Sequence, residues 1–175
     1  KGIYNDILNL DQKGDVRRNV LLTPGPLTTS DSVKYAQIVP DICPREQEFG
    51  KMVEDIALKI TQVVDISGAY CSTLFGGSGT AAVEAMISSV VGDEDHLLII
   101  NNGSYGKRML DIATIYGVRV TTFESSVVDP IDLDKLTTLI ESSDIPITHL
   151  AAVHHETTTG LLNDINALGE VASRY

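Results

Sequence analysis

From residue 69 onward, short runs rich in β-branched residues alternate with segments of helical periodicity. That alternation limits the fold more than any other feature of the 175-residue sequence. Residues 69–75, 96–100, 119–123 and 149–154 read as strands, and residues 81–91, 105–116 and 132–142 as helices. A last helix follows residues 162–164 and ends at Tyr175. Gly92 and Gly117 stand where two of these helices should stop. Strands separated by helices build right-handed βαβ units. The expected class is therefore α/β: three layers, a mostly parallel sheet with helices on both faces.

Upstream the pattern differs. Residues 1–18 are mixed and polar, broken at Lys13, Gly14 and Asp15, and read as a leader or linker. Thr23, Pro24, Gly25 and Pro26 form a shaped loop, because prolines fix φ on both sides of a flexible glycine. Ser30 or Asp31 can cap a short helix reaching about Ile38. Phe49, Met52, Val53, Ile56, Ile60 and Val63 recur at helical spacing within a longer helix over 45–64.

Parallel α/β sheets bind ligands beyond the carboxyl ends of their strands. That rule selects the loops 76–80, 101–105 and 154–160. In the first, Gly76, Gly77, Ser78, Gly79 and Thr80 allow positive φ and close backbone approach. The helix behind them offers free N–H groups and a positive dipole end. The turn reads equally as a phosphate cradle or as a plain Ser-capped helix. It is neither a Walker loop nor a dinucleotide fingerprint. In the second loop Tyr105 can lie flat on a planar ring or pack on its own helix. In the third, Thr157, Thr158 and Thr159 can bond a polar cofactor or make a local side-chain turn. His154 and His155 point to opposite sides if they continue the strand, which argues against a shared metal ion.

The net charge of −11 excludes a broad nucleic-acid surface and gives no polybasic handle for anionic lipid. No apolar run is long enough to span a membrane, and residues 1–18 lack a signal pattern, so a cytoplasmic protein is expected. Cys43 and Cys71 have no metal-ligand spacing and read as buried or half-buried free thiols. From a start at Lys1 rather than Met, an excised piece is expected.

Taken in order, LLTPGPL, GGSGTAAVEA, NNGSYGKR and HHETTTG resemble the class V aminotransferases of pyridoxal-phosphate (PLP) fold type I. The resemblance covers residues 20–175. It implies that Ser78, Gly79 and Thr80 hold the cofactor phosphate. Tyr105 would stack on the pyridine ring, and Thr158 would lie near the ring oxygen or phosphate. Pro24, Gly25 and Pro26 would border the substrate. Glu84 matches a family position without assigned chemistry.

On this reading residues 19–30 are a substrate-side arm, and 31–175 are part of the large domain. That part ends before the strand that brings an Asp to the pyridine nitrogen and before the Schiff-base lysine. None of Lys1, Lys13, Lys34, Lys51, Lys59, Lys107 and Lys135 sits in a strand-end apolar context. The isolated chain is therefore expected to be inactive, and a catalytic residue is expected outside it. The implied activity is PLP-dependent transfer of an amino group from a small amine or aminophosphonate to pyruvate, in a homodimer. An alanine–glyoxylate or serine–pyruvate type of transaminase is the alternative, and a non-catalytic PLP-fold module acting in binding or dimerisation is another.

Overall fold

A computed structural model describes residues 20–175. The leader expected over residues 1–18 lies outside the described residues, as does residue 19 of the expected arm. The chain divides into two compact units, Lys1–Met52 and Val53–Tyr175.

In the first unit, the Gly25–Pro26 peptide is cis. The Thr23 hydroxyl donates to the Pro26 carbonyl, and the Leu21 N–H donates to Thr28 Oγ1 at 2.7 Å, which closes the loop. Helix α1 (Asp31–Tyr35) begins where Ser30 Oγ accepts from the Val33 N–H. Helix α2 (Gln47–Val64) spans the boundary between the units.

The second unit carries the sheet. Its elements are α3 (Gly79–Val90), β1 (Leu97–Asn101), α4 (Ser104–Ile115), β2 (Val120–Glu124), α5 (Leu133–Glu141) and β3 (His149–Ala151). A hairpin of β4 (His155–Glu156) and β5 (Leu161–Leu162) follows, then α6 (Ile165–Ala172). The three-stranded sheet has the order β2-β1-β3, all parallel, with Leu97 facing Val120 on one side and His149 on the other.

The central strand explains the layering. Side chains alternate across a strand, so a strand covered on both faces is apolar throughout. Leu97 and Ile99 pack with Ile87 of α3 and with Met109, Ile112 and Ala113 of α4. Leu98 and Ile100 pack on the other face with Phe123, Leu136 of α5, and Leu168 and Val171 of α6. All four strand residues are at most 2% exposed. This is the expected three-layer α/β arrangement.

Three expectations are corrected. Residues 69–75 have a strand's composition but form no strand; Tyr70, Leu74 and Phe75 are exposed. A strand exists only through its ladder, and among the described residues nothing pairs with this one. Its tie to α2 is a side-chain bond, Thr61 Oγ1 to Ser72 Oγ at 2.8 Å. The helix expected over 45–64 is present as α2; its Ile56, Ile60 and Val63 are exposed, and Thr61 is its buried residue. Cys43 and Cys71 are free and exposed rather than buried, because each sits on irregular backbone outside the packed layers. The strand expected over 149–154 stops at Ala151, and the chain turns back through the β4–β5 hairpin. No helix of the described residues is long and apolar enough to cross a membrane.

Candidate functional site

Beyond the carboxyl ends of β1 and β3 lies a cavity of about 500 Å³. Gly79 and Thr80 at the start of α3 form one end. Tyr105 and Arg108 of α4 form a wall, with Val83, Met86 and Met109 as an apolar lining. Val153, His155 and Thr157 complete the lining. Two of the three loops chosen from the sequence line this cavity directly, and the loop 101–105 does so through Tyr105.

At the first loop, Ser78 caps α3. Its Oγ accepts from the Ala81 N–H at 3.2 Å, and its carbonyl accepts from the Ala82 N–H at 3.2 Å. These two bonds leave the N–H groups of Gly79 and Thr80 to face a ligand or solvent. The capping reading of this turn is thus present, and it does not compete with anion binding. The expected use of positive φ is not: Gly68, Gly117 and Gly160 take it, while Gly76, Gly77 and Gly79 do not. A Cβ added at Gly76 or Gly79 would meet no atom within 4 Å. These glycines keep space open rather than bend the chain.

Thr80 is linked to α4. Arg108 Nη1 donates to Thr80 Oγ1 at 3.0 Å, which leaves the threonine's own proton free for another acceptor. The same guanidinium lies 5.2 Å from the centroid of the Tyr105 ring, a cation–π contact. One ring face is therefore occupied, and the other is available to a flat ligand. Lys107, the neighbour of Arg108, turns away and pairs with Asp111 at 3.1 Å on the exposed side of α4. Among the described residues no lysine lines the cavity.

At the third loop, Thr157 rather than Thr158 lines the cavity, and its hydroxyl donates to the Tyr105 phenol oxygen at 3.2 Å. Thr158 lies beside it and donates, through both N–H and hydroxyl, to Glu156. Glu156 is fully buried and also accepts from the Tyr105 N–H at 3.0 Å. Pro24, Gly25 and Pro26 belong to the first unit. Among the described residues no group of three His, Cys, Asp or Glu could hold a metal ion.

Arg108 and Glu156 were not singled out from the sequence, and Thr157 was named only together with Thr158 and Thr159. The helical register offered a signal for Arg108, since a residue three places after Tyr105 shares its face. Glu84, left without chemistry, accepts from the Tyr116 hydroxyl at 2.7 Å and ties α3 to the end of α4. That bond, with the charge of Glu84, holds the Tyr116 phenol above its ordinary pKa.

No protein-family model matches the sequence. The 2-aminoethylphosphonate–pyruvate transaminase of Salmonella paratyphi B is 40% identical over 160 residues, which are 91% of this chain and 43% of that protein. The chain thus spans less than half the length of such relatives. Among solved structures, alanine–glyoxylate aminotransferase from Nostoc sp. superimposes with a TM-score of 0.80 at 29% identity, over 93% of this chain and 42% of that one. Pyridoxamine–pyruvate aminotransferase from Mesorhizobium loti gives 0.80 at 22% identity, over 91% and 40%, a likeness of fold. Aminotransferases of this fold use pyridoxal 5'-phosphate. The chain is a homologue of the 2-aminoethylphosphonate–pyruvate transaminases and has the fold of the PLP-dependent aminotransferases.

Proposed function

We propose that the whole protein transfers the amino group of 2-aminoethylphosphonate to pyruvate, giving phosphonoacetaldehyde and L-alanine, and that the present residues seat its PLP. The observation that carries this reading is the cavity at the strand ends, in a chain 40% identical to a transaminase of that name. The residues fit the cofactor. Its phosphate would meet Ser78, Gly79 and Thr80, where open backbone, free N–H groups and donor hydroxyls converge. The pyridine ring would lie on the free face of Tyr105, with Thr158 and Thr157 towards its polar edge. Residues 19–30, with Pro24, Gly25 and Pro26, would serve as the substrate-side arm, and 31–175 as part of the large domain.

PLP, when bound, supplies the electron sink for reaction at the substrate amine. The present residues bind and orient. Arg108 holds the Thr80 hydroxyl so that its proton points to an acceptor. Val83, Met86 and Met109 keep water from one side of the cavity, which strengthens every polar contact within it. Among the described residues no lysine lines the cavity, so the covalent attachment is assigned to a residue beyond this stretch, and the isolated chain is read as inactive. A cytoplasmic homodimer completes the reading; the exposed Ile56, Ile60 and Val63 on α2 support association.

Substitution of Ser78 separates a cap from a cradle. Asp caps as well as Ser does, but its charge opposes a phosphate. In the whole protein Ser78→Asp should keep the thermal transition and lose PLP binding, followed by visible absorbance. Equal PLP affinity in Ser78→Asp would sink the cradle. A second reading, an alanine–glyoxylate type, is favoured by the 29% identity to the Nostoc structure. Assay of the whole protein with 2-aminoethylphosphonate and pyruvate, against alanine and glyoxylate, decides between them.

A further inference from the structure

Glu156 is a buried acid that the proposed chemistry does not use. It is 0% exposed, and among the described residues it makes no ion pair. Both its oxygens act as acceptors. Oε2 accepts from the Tyr105 N–H at 3.0 Å; Oε1 accepts from the Thr158 N–H at 3.4 Å and from the Thr158 hydroxyl. Its side chain also fills the space next to Gly103. A Cβ there would lie 2.5 Å from the Glu156 Cγ, Cδ and Oε2 atoms. The acid thus reaches from the hairpin into the turn before α4, and fastens the backbone of Tyr105 to the backbone of Thr158.

A glutamine does this only in part. It carries one acceptor oxygen and one NH₂ group. With its oxygen on the Tyr105 N–H, the NH₂ can donate to the Thr158 hydroxyl, which turns to accept, but the Thr158 N–H loses its acceptor; turned the other way, the NH₂ opposes the Tyr105 N–H. An aspartate is one methylene too short to span both. The site therefore demands an acceptor at both ends of a side chain of this length, inside a gap that only glycine at 103 leaves open.

We infer that Glu156 is a positioning residue: its carboxyl group sets the orientation of the Tyr105 ring and of Thr158 toward a bound planar cofactor. This rests on the assignment of the cavity to PLP. Glu156 does not touch the cofactor. It fixes the two backbone positions from which the ring-stacking residue and its polar neighbour project. Loss of either bond frees one loop from the other, and the ring face of Tyr105 is no longer held at the angle a stacked ligand needs.

The test uses the whole protein in two variants. Glu156→Gln removes one acceptor, and Gly103→Ala keeps the acid but displaces its carboxyl group. Each is measured by thermal transition, by PLP titration, and by circular dichroism in the visible band of the bound cofactor, which reports ring orientation. The expected result is an affinity about tenfold weaker, the usual effect of one uncompensated buried hydrogen bond, with a diminished visible dichroic band in both variants. Amide exchange at Tyr105, measured without PLP, should quicken in Gly103→Ala. A lowered thermal transition with the affinity and the dichroic band unchanged would make Glu156 merely structural and overturn the inference. Should Glu156→Gln not fold, Gly103→Ala decides by the same readouts. A wild-type protein that takes up no PLP overturns the proposed function and this role together, whereas wild-type uptake with unaltered variants overturns this role alone.

Discussion

Helix α4 lies on β1 at its closest where residue 106 is glycine. A Cβ at Gly106 would stand 2.9 Å from the Ile100 carbonyl oxygen and 3.0 Å from Asn101 Cα. Both are backbone atoms of a strand held on two sides, so the helix must give way, by about half an ångström before ordinary contact is restored. Two effects oppose each other in Gly106→Ala. Alanine gains about 1 kcal/mol in helix propensity, and overpacking costs about 1–3 kcal/mol. The net figure alone is thus a poor test. Gly169 in α6 supplies the control, because it is exposed and a Cβ there meets nothing within 4 Å. Gly169→Ala should raise the thermal transition, and Gly106→Ala should fall below it by the overpacking cost. At about 2–4 °C per kcal/mol for a chain of this size, the gap is readily measured. Urea midpoints of the two variants give the same comparison. Equal stability of Gly106→Ala and Gly169→Ala would refute the claim that the close approach of α4 to β1 is what requires glycine.

Leu136 is fully buried against β1, and Leu136→Ala should cost about 2–5 kcal/mol in a denaturant titration. Arg108→Met removes the donor that orients the Thr80 hydroxyl, and should weaken PLP binding in the whole protein about tenfold; unchanged affinity would exclude that role. The Tyr116 phenol is raised above its ordinary value of 10.0 by its bond to Glu84 and by that charge. The stabilisation from this pair is therefore complete below pH 10.0 and is lost as pH rises through the raised value. Unfolding midpoints of Tyr116→Phe should show a shallower alkaline decline than wild type, and parallel curves would contradict the linkage.

Much of this was legible in the sequence, and the exceptions have physical causes. The run Leu97, Leu98, Ile99, Ile100 announces a strand covered on both faces, because no other strand can afford apolar residues at every position. The caps at Ser30 and Ser78 were readable because capping is local. Residues 69–75 misled because composition reports propensity, whereas a strand needs a neighbour that sequence order does not reveal. The β4–β5 hairpin escaped because two-residue strands have no period to detect; Gly160, at φ 83°, was its one local sign. Thr158 was read as facing the ligand, yet Thr157 reaches the cavity wall, since the hairpin shifts which side each residue presents. Glu156 looked like one more polar loop residue. Its importance comes from Gly103 and Tyr105, more than fifty positions earlier, and no local pattern records that distance.

The strand order β2-β1-β3 also bears on how the chain is made. Synthesis delivers the centre of the sheet first. Once α4 and β2 have emerged, the four apolar residues of β1 have a partner on one edge, and β3 then closes the other. Bare segments of that composition are those that aggregate, and here each successive product of the ribosome shortens the time the segment stays bare. Stretch 69–75, made earlier still and left without a ladder, has no such protection from within these residues.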